Sequence, residues 1–205
     1  MQLVLKKKDT YLSIEQPSKG EFKDKGSKFI GYAFPVSNEE EVKIRLLEIR
    51  KLHPIAGHVC YAFRINPLNE YFRANDDGEP YNTAGKPILG QLRSMELQNV
   101  LVAVVRYFGG TLLGVSGLIQ AYKETAAITL IEAKIVEKKI TFTFHLQVDY
   151  SFMGEVMKWI KENKHTYYSA VMSDTFSVKI DVPYSKQKEI NDLFIERFWV
   201  KSVDL

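Results

Sequence analysis

The chain has 205 residues, 45% of them hydrophobic and 26% charged, with a formal net charge of +3. This is the composition of an ordinary globular protein, and its longest apolar run, Val100 to Val105, is a strand's length, which excludes a disordered chain and a helical membrane span. Residues 1–8 carry no signal-peptide core, and the single cysteine, Cys60, excludes an internal disulfide framework, so a reducing, cytoplasmic location is expected.

Two extended stretches, Lys19–Lys23 and Phe29–Val36, are predicted around a turn at Asp24-Lys25-Gly26. Ser37 with Glu40 has the spacing of a capping box, opening a helix whose apolar face is Val42, Leu46 and Ile49. His58–Ile65 alternates as a strand and Glu70–Ala74 as a shorter one. Asn75-Asp76-Asp77-Gly78 is loop chemistry, and Pro87 suits the first turn of a helix reaching about Met95. Val100–Val105, a continuous apolar and largely β-branched run, predicts a strand buried on both faces. A glycine-punctuated connection leads to a long helix, to about Ala133, with Leu118, Ile119, Tyr122, Ala126 and Leu130 on one side.

Glu137-Lys138-Lys139 reads as a charged hinge, dividing the chain into domains 1–137 and 138–205. Beyond it come an alternating strand through Phe142, Phe144, Leu146 and Val148, and a helical stripe of Met153, Val156, Met157 and Ile160. Strands Tyr167–Met172 and Phe176–Val182 flank a turn at Ser173-Asp174, a helix carries Ile190, Leu193, Phe194 and Arg197, and Trp199–Val203 closes as a strand. The order βαββαβ is the ferredoxin-like plan, so an α+β protein is expected. Residues 139–205 hold nine basic and nine acidic side chains, which leaves the whole positive surplus in the first part of the chain. A surplus so small permits a polyanionic partner without demanding one.

Several chemistries are excluded by spacing. Gly78 to Lys86 resembles a phosphate-binding P-loop, but six residues separate its glycines and Pro87 stands where the metal-binding hydroxyl belongs. No strand runs into G-x-G-x-x-G, Gly114-Val115-Ser116-Gly117 lacks the spacing of a nucleophile elbow, and the four histidines show no paired ligand spacing. No cofactor and no metal are therefore expected.

Candidate site residues gather between Asn75 and Lys123, with His58 and Cys60 on the preceding strand. Asp76, Asp77 and Glu79 place three carboxylates in one loop, suited either to a metal or acid–base chemistry or to a solvated turn. Thr83, Gly85 and Lys86 precede a helix whose N-terminal amides favour an anion, or simply form a helix start with an exposed lysine. Arg106 and Tyr107, followed by Gly109 and Gly110, offer a guanidinium and an aromatic face, or else the segment is a packed aromatic, Phe108, beside a tight Gly-Gly turn, which leaves Arg106 unexplained. Cys60 reads as a small structural hydrophobe.

In order and spacing, His58-x-Cys60-Tyr61-Ala62, Asp76-Asp-Gly-Glu-Pro80, Thr83-Ala-Gly-Lys-Pro87, Arg106-Tyr-Phe-Gly-Gly110 and Gly114-x-x-Gly117-Leu118 resemble the IMPACT family and its bacterial YigZ-like members. Lys25-Gly-Ser-Lys-Phe-Ile30 resembles the family's opening segment. The resemblance implies an N-terminal domain like the second domain of ribosomal protein S5, and a C-terminal one like domain V of the translocating elongation factor. It further implies a role in regulating translation, which eukaryotic relatives perform by restraining an initiation-factor kinase with the help of an additional RWD domain not seen here. The chain departs from the family pattern at Leu112 (a lysine), Ser116 (a glycine), Gln120 (an arginine) and Tyr81-Asn82 (Ser-Gly), losing two positive charges near the expected site. Two functions follow. One is a non-catalytic, translation-associated protein binding RNA, the ribosome or a ribosome-bound partner through His58, Asp76, Asp77, Glu79, Thr83, Gly85, Lys86, Arg106, Tyr107, Gly109, Gly110 and Lys123. The other is an enzyme acting on a small phosphorylated or acidic substrate, with His58 and the loop carboxylates as its acid–base groups.

Overall fold

The computed structural model describes residues 9–172, 174–195, 197 and 200–204. The chain forms two compact units: Tyr11–Lys138, and a second comprising residues from Lys139 onward together with Asp9 and Thr10.

The first unit is built on a five-stranded sheet of order β2-β3-β6-β4-β5, from β2 (Ser18–Asp24), β3 (Ser27–Pro35), β4 (His58–Ile65), β5 (Tyr71–Asn75) and β6 (Val100–Tyr107). Each neighbouring pair is antiparallel. Alternation sorts the side chains of each strand to two faces. Phe29, Ala33, Cys60, Ala62, Val102 and Val104 pack beneath α2 (Gly85–Ser94) and α3 (Gly114–Ile131). Ile30, Val59, Ala103 and Val105 face the other way, towards Ile49 of α1 (Glu39–Leu52). Strand β6 is buried from Val100 to Arg106, as its unbroken apolar run requires of a central strand.

Three local expectations shift. The N-cap of α1 is Asn38, not Ser37: its side chain accepts from Glu41 N at 2.9 Å while Glu41 Oε2 accepts from Ser37 N at 2.8 Å, one residue later than Ser37/Glu40. A strand β1 (Thr10–Ile14) precedes the anticipated ones, and the charged hinge is itself part of a strand, β7 (Ile135–Lys139), paired with β1. The burial of β7 alternates between exposed and intermediate, so its charges occupy an ordinary solvent-facing strand.

In the second unit, β8 (Thr141–Asp149), α4 (Met153–Glu162), β9 (Thr166–Met172), β10 (Thr175–Pro183), α5 (Gln187–Ile195) and β11 (Val200–Asp204) follow the expected βαββαβ order. The sheet runs β11-β8-β10-β9, all antiparallel, which is the ferredoxin-like arrangement. Phe144, Leu146 and Val148 of β8 and Phe176, Val178, Ile180 and Val182 of β10 pack on Val156 and Ile160 of α4 and Ile190 and Phe194 of α5. Of the turn expected at Ser173-Asp174, Asp174 is a turn residue while Ser173 lies outside the described residues, as does Trp199 at the start of the last expected strand.

Candidate functional site

The polar loop after β5 closes over the sheet where β4 begins and β6 ends. His58 lies directly opposite Arg106, and Phe29 of β3 opposite Arg106 on its other side. Residues so paired share one face of the sheet, here the α2/α3 face.

The three loop carboxylates diverge. Asp76 turns towards α2, where one oxygen accepts from Ala84 N at 3.0 Å and Gly85 N at 2.8 Å and the other from Asn82 N at 2.9 Å. A carboxylate at a helix N-terminus satisfies amides that have no partner within the helix. Of the amides of Thr83–Lys86, those of Ala84 and Gly85 are thus occupied by the chain's own Asp76, and that of Thr83 by Pro80 O. The Thr83 hydroxyl donates to Pro80 O at 2.6 Å, and Gly85 permits close backbone packing, since a Cβ there would lie 2.5 Å from Asn75 N. Asp77 accepts from Val59 N at 2.6 Å and pairs with Arg50, a residue outside the expected set.

Glu79 turns inwards. Its Oε1 accepts from Arg106 Nη1 at 2.7 Å and from the Tyr122 hydroxyl at 2.7 Å. Only 3% of the Glu79 side chain and 8% of the Arg106 side chain is exposed. Beyond them, the Cys60 thiol lies 3.3 Å from the Tyr122 oxygen and 3.0 Å from Asp76 O. Burial pushes the Cys60 thiol far up from its usual range; burial, and then the neighbouring Cys60 and Glu79, do the same to the Tyr122 hydroxyl. Both therefore stay protonated at neutral pH, and Cys60 is no nucleophile. Tyr122 was readable only as part of the α3 stripe. A buried tyrosine needs a partner for its hydroxyl, which was the one available signal.

His58 is half-buried, and its Nδ1 lies 2.8 Å from Asp77 O. A carbonyl can only accept, which assigns the proton to Nδ1 and leaves Nε2 as an acceptor. No loop carboxylate is among the hydrogen-bond partners of His58. The Arg106 guanidinium carbon is 5.6 Å from the Phe29 ring centroid and 5.7 Å from that of Phe108, and Arg106 Nε is buried without a hydrogen-bond partner among the described residues. Phe108, packed inside only under the structural alternative, is 59% exposed and supplies the aromatic face beside Arg106.

Tyr107 does not share that face. It follows Arg106 on the strand and therefore points to the α1 side, where its hydroxyl lies 2.8 Å from His53 Nδ1 while Tyr32 OH lies 2.7 Å from His53 Nε2. Burial first, then the charges of Lys19 and Lys28, hold His53 below its ordinary pKa of 6.5. The unfolded chain thus takes up this proton first, so the stability His53 contributes is intact above the ordinary value and is lost as pH falls through the lowered folded value. Acidification from about pH 7.5 to about pH 5.5 should lower the urea midpoint, and His53→Gln should flatten part of that fall. An identical pH dependence in the variant would exclude the effect.

Gly109 packs on the β2–β3 turn and its N–H donates to Ser27 Oγ at 3.2 Å, whereas Gly110 has open space around it and φ +87°. Lys86 and Lys123 are exposed and form no ion pair among the described residues. Asn82, where the family pattern has glycine, adopts φ 62°, a conformation asparagine tolerates better than most residues. The structure thus brings His58, Glu79 and Arg106 together, commits Asp76, Asp77, Thr83, Gly85 and Gly109 to the scaffold, and sends Tyr107 to the opposite face.

Comparison with known proteins identifies the relatives. Residues 25–130 match the Impact N-terminal domain. The IMPACT family member YvyE of Bacillus subtilis is 32% identical over 89% of this chain and 82% of its own length. The IMPACT family member YigZ of Escherichia coli is 34% identical over 62% of this chain and 63% of its own. A solved structure titled as that of a hypothetical protein superposes with a TM-score of 0.69 at 26% identity, covering 96% of both chains. With a domain match over half its length and relatives aligned along most of the remainder, the chain belongs to the IMPACT family.

Proposed function

We propose that the protein is a non-catalytic, translation-associated regulator of the cytoplasm whose N-terminal unit engages RNA, the ribosome or a ribosome-bound partner. One observation carries the reading: every loop carboxylate is consumed by the scaffold, so what remains for a ligand is cationic, imidazole and aromatic. Asp76 caps α2, Asp77 holds Val59 N and Arg50, and Glu79 is buried against Arg106 and Tyr122. An enzyme needs its acid and base aimed at one reacting atom. Here Lys86, Lys123, Phe108 and Nε2 of His58 are left, a set suited to phosphates and bases. Membership of the IMPACT family, for which the resemblance implies a role in regulating translation, supports the same reading by analogy. No helix among the described residues is long and apolar enough to cross a membrane.

Salt-titrated binding to purified ribosomes and to single-stranded RNA tests this. Binding should be present at low salt and weaken as salt rises, and Lys86→Ala should reduce both affinity and salt slope, each lost phosphate contact lowering the slope by about one. Co-sedimentation before and after nuclease treatment separates ribosome from free RNA. Absence of binding to either at low salt, or affinity untouched when Lys86 and Arg106 are both replaced, overturns the proposal.

A further inference from the structure

We propose that His58 and Arg106 together seat one phosphomonoester, the 5′-terminal phosphate of a nucleic acid strand or of a free nucleotide, rather than the phosphodiesters of a continuous backbone. This deepens the reading of the N-terminal site as a ligand-binding one and rests on it.

Arg106 is only half used. Its Nη1 donates to Glu79 at 2.7 Å, while its buried Nε has no partner among the described residues. Leaving a buried donor unpaired costs about 1–3 kcal/mol, and native proteins seldom tolerate it without a reason. Nε and Nη2 form the edge of a guanidinium that grips two oxygens of a phosphate or carboxylate side by side. Glu79 on Nη1 orients that edge without covering it.

His58 supplies the second contact. It faces Arg106 directly across the β4–β6 pair, where opposite Cβ atoms stand roughly 5 Å apart. Its Nδ1 is held by Asp77 O at 2.8 Å, leaving Nε2 without a partner among the described residues. A neutral Nε2 accepts a hydrogen bond, and a protonated one donates. A phosphomonoester, whose second pKa is about 6, matches either state: as monoanion its P–OH donates to Nε2, and as dianion it accepts from the imidazolium. A phosphodiester carries no such proton at neutral pH, and neither does a carboxylate. With Nδ1 protonated and Nε2 as acceptor, the imidazole favours the anion that brings a proton over the proton-free anions that the guanidinium accepts equally.

Two further features argue for a single phosphate. Glu79 offsets the charge of Arg106, so the guanidinium offers a directional fork more than the net charge that attracts a continuous backbone. Phe108, exposed and 5.7 Å from the guanidinium carbon, offers one stacking face for the base next to that phosphate. Entry to the guanidinium edge requires the exposed Phe108 ring to swing aside about its own side-chain bonds, since Gly109 is fixed against the β2–β3 turn.

The test is calorimetric binding by the full chain of four probes: a short single-stranded RNA with a 5′-phosphate, the same RNA with a 5′-hydroxyl, adenosine 5′-monophosphate, and adenosine. The 5′-phosphate should tighten RNA binding by about tenfold or more, the equivalent of one charge-assisted hydrogen bond. Arg106→Lys, which keeps a cation for Glu79 but has no fork, and the half-exposed His58→Gln should each abolish that preference. Equal binding of the two RNAs, or a preference that survives both substitutions, overturns the phosphomonoester site and leaves RNA binding standing. Binding of adenosine 5′-monophosphate over adenosine with no RNA binding supports the site with a small nucleotide as its source and removes the RNA reading. Failure of all four probes overturns both.

Discussion

Glu79→Ala is expected to destabilise the N-terminal unit by about 3–5 kcal/mol, the cost of leaving one member of a buried ion pair uncompensated. Arg106, with 8% of its side chain exposed, would keep its charge and lose the carboxylate 2.7 Å away, and the Tyr122 hydroxyl would lose its acceptor. Urea denaturation followed by circular dichroism reads the loss. Replacing both charges with apolar groups of similar volume, Glu79→Leu with Arg106→Met, should recover most of it, because no charge is then stranded. Tyr122→Phe should cost only about 1 kcal/mol, since it removes the hydrogen bond to Glu79 and a weak one from the Cys60 thiol and keeps the ring's edge-on contact with Phe29 at 5.2 Å. A Glu79→Ala variant as stable as the parent would show that the pair holds nothing together.

Gly109→Ala carries the second large effect. A Cβ at this position would stand 1.9 Å from the Gly26 carbonyl carbon and 2.2 Å from Ser27 N. Both are backbone atoms of the β2–β3 turn, so no flexible side chain can yield, and the expected loss is about 3 kcal/mol, the upper end for overpacking. The displacement would also shift Phe108 and with it any ligand stacked there. Gly110→Ala is the informative contrast. It meets open space and has only its φ of +87° to contend with, a penalty of about 1 kcal/mol. Thermal melts of the two variants should differ clearly, and equal melting temperatures would mean that the turn and the loop part easily.

Much of this fold was legible because its elements announce themselves by period. The unbroken Val100–Val105 run could only be a central strand, and the alternation through Phe142, Phe144, Leu146 and Val148 could only be half-covered by helices. The start of α1 was ambiguous for a local reason: Ser37-Asn38-Glu39-Glu40-Glu41 contains two overlapping capping boxes, and only backbone geometry selects Asn38. Strand β7 was obscured because an exposed ribbon needs no apolar face, so its charges resemble a linker.

The site was less legible, and the reason is direction. Arg106 and Tyr107 are adjacent and so must diverge in a strand, a consequence of period-two geometry that their chemical kinship disguises. The acids at 76, 77 and 79 find partners on α2, β4 and β6, and no spacing within the loop encodes three separate destinations. Phe108 is exposed like several other large apolar side chains here, so only its place beside the Arg106 guanidinium singles it out.

The pairing of β1 with β7 has a consequence for how such a unit travels between proteins. The strand that enters the first unit and the strand that leaves it lie side by side, with Glu15 N donating to Lys134 O at 2.9 Å. A module whose two ends emerge together can be spliced into a host loop, or placed before or after another domain, without unravelling its interior. The ribbon works as a clasp, closing the module irrespective of what the chain does on either side. Grafting Tyr11–Lys138 between two flexible linkers of an unrelated carrier would then be a change of address and not of architecture.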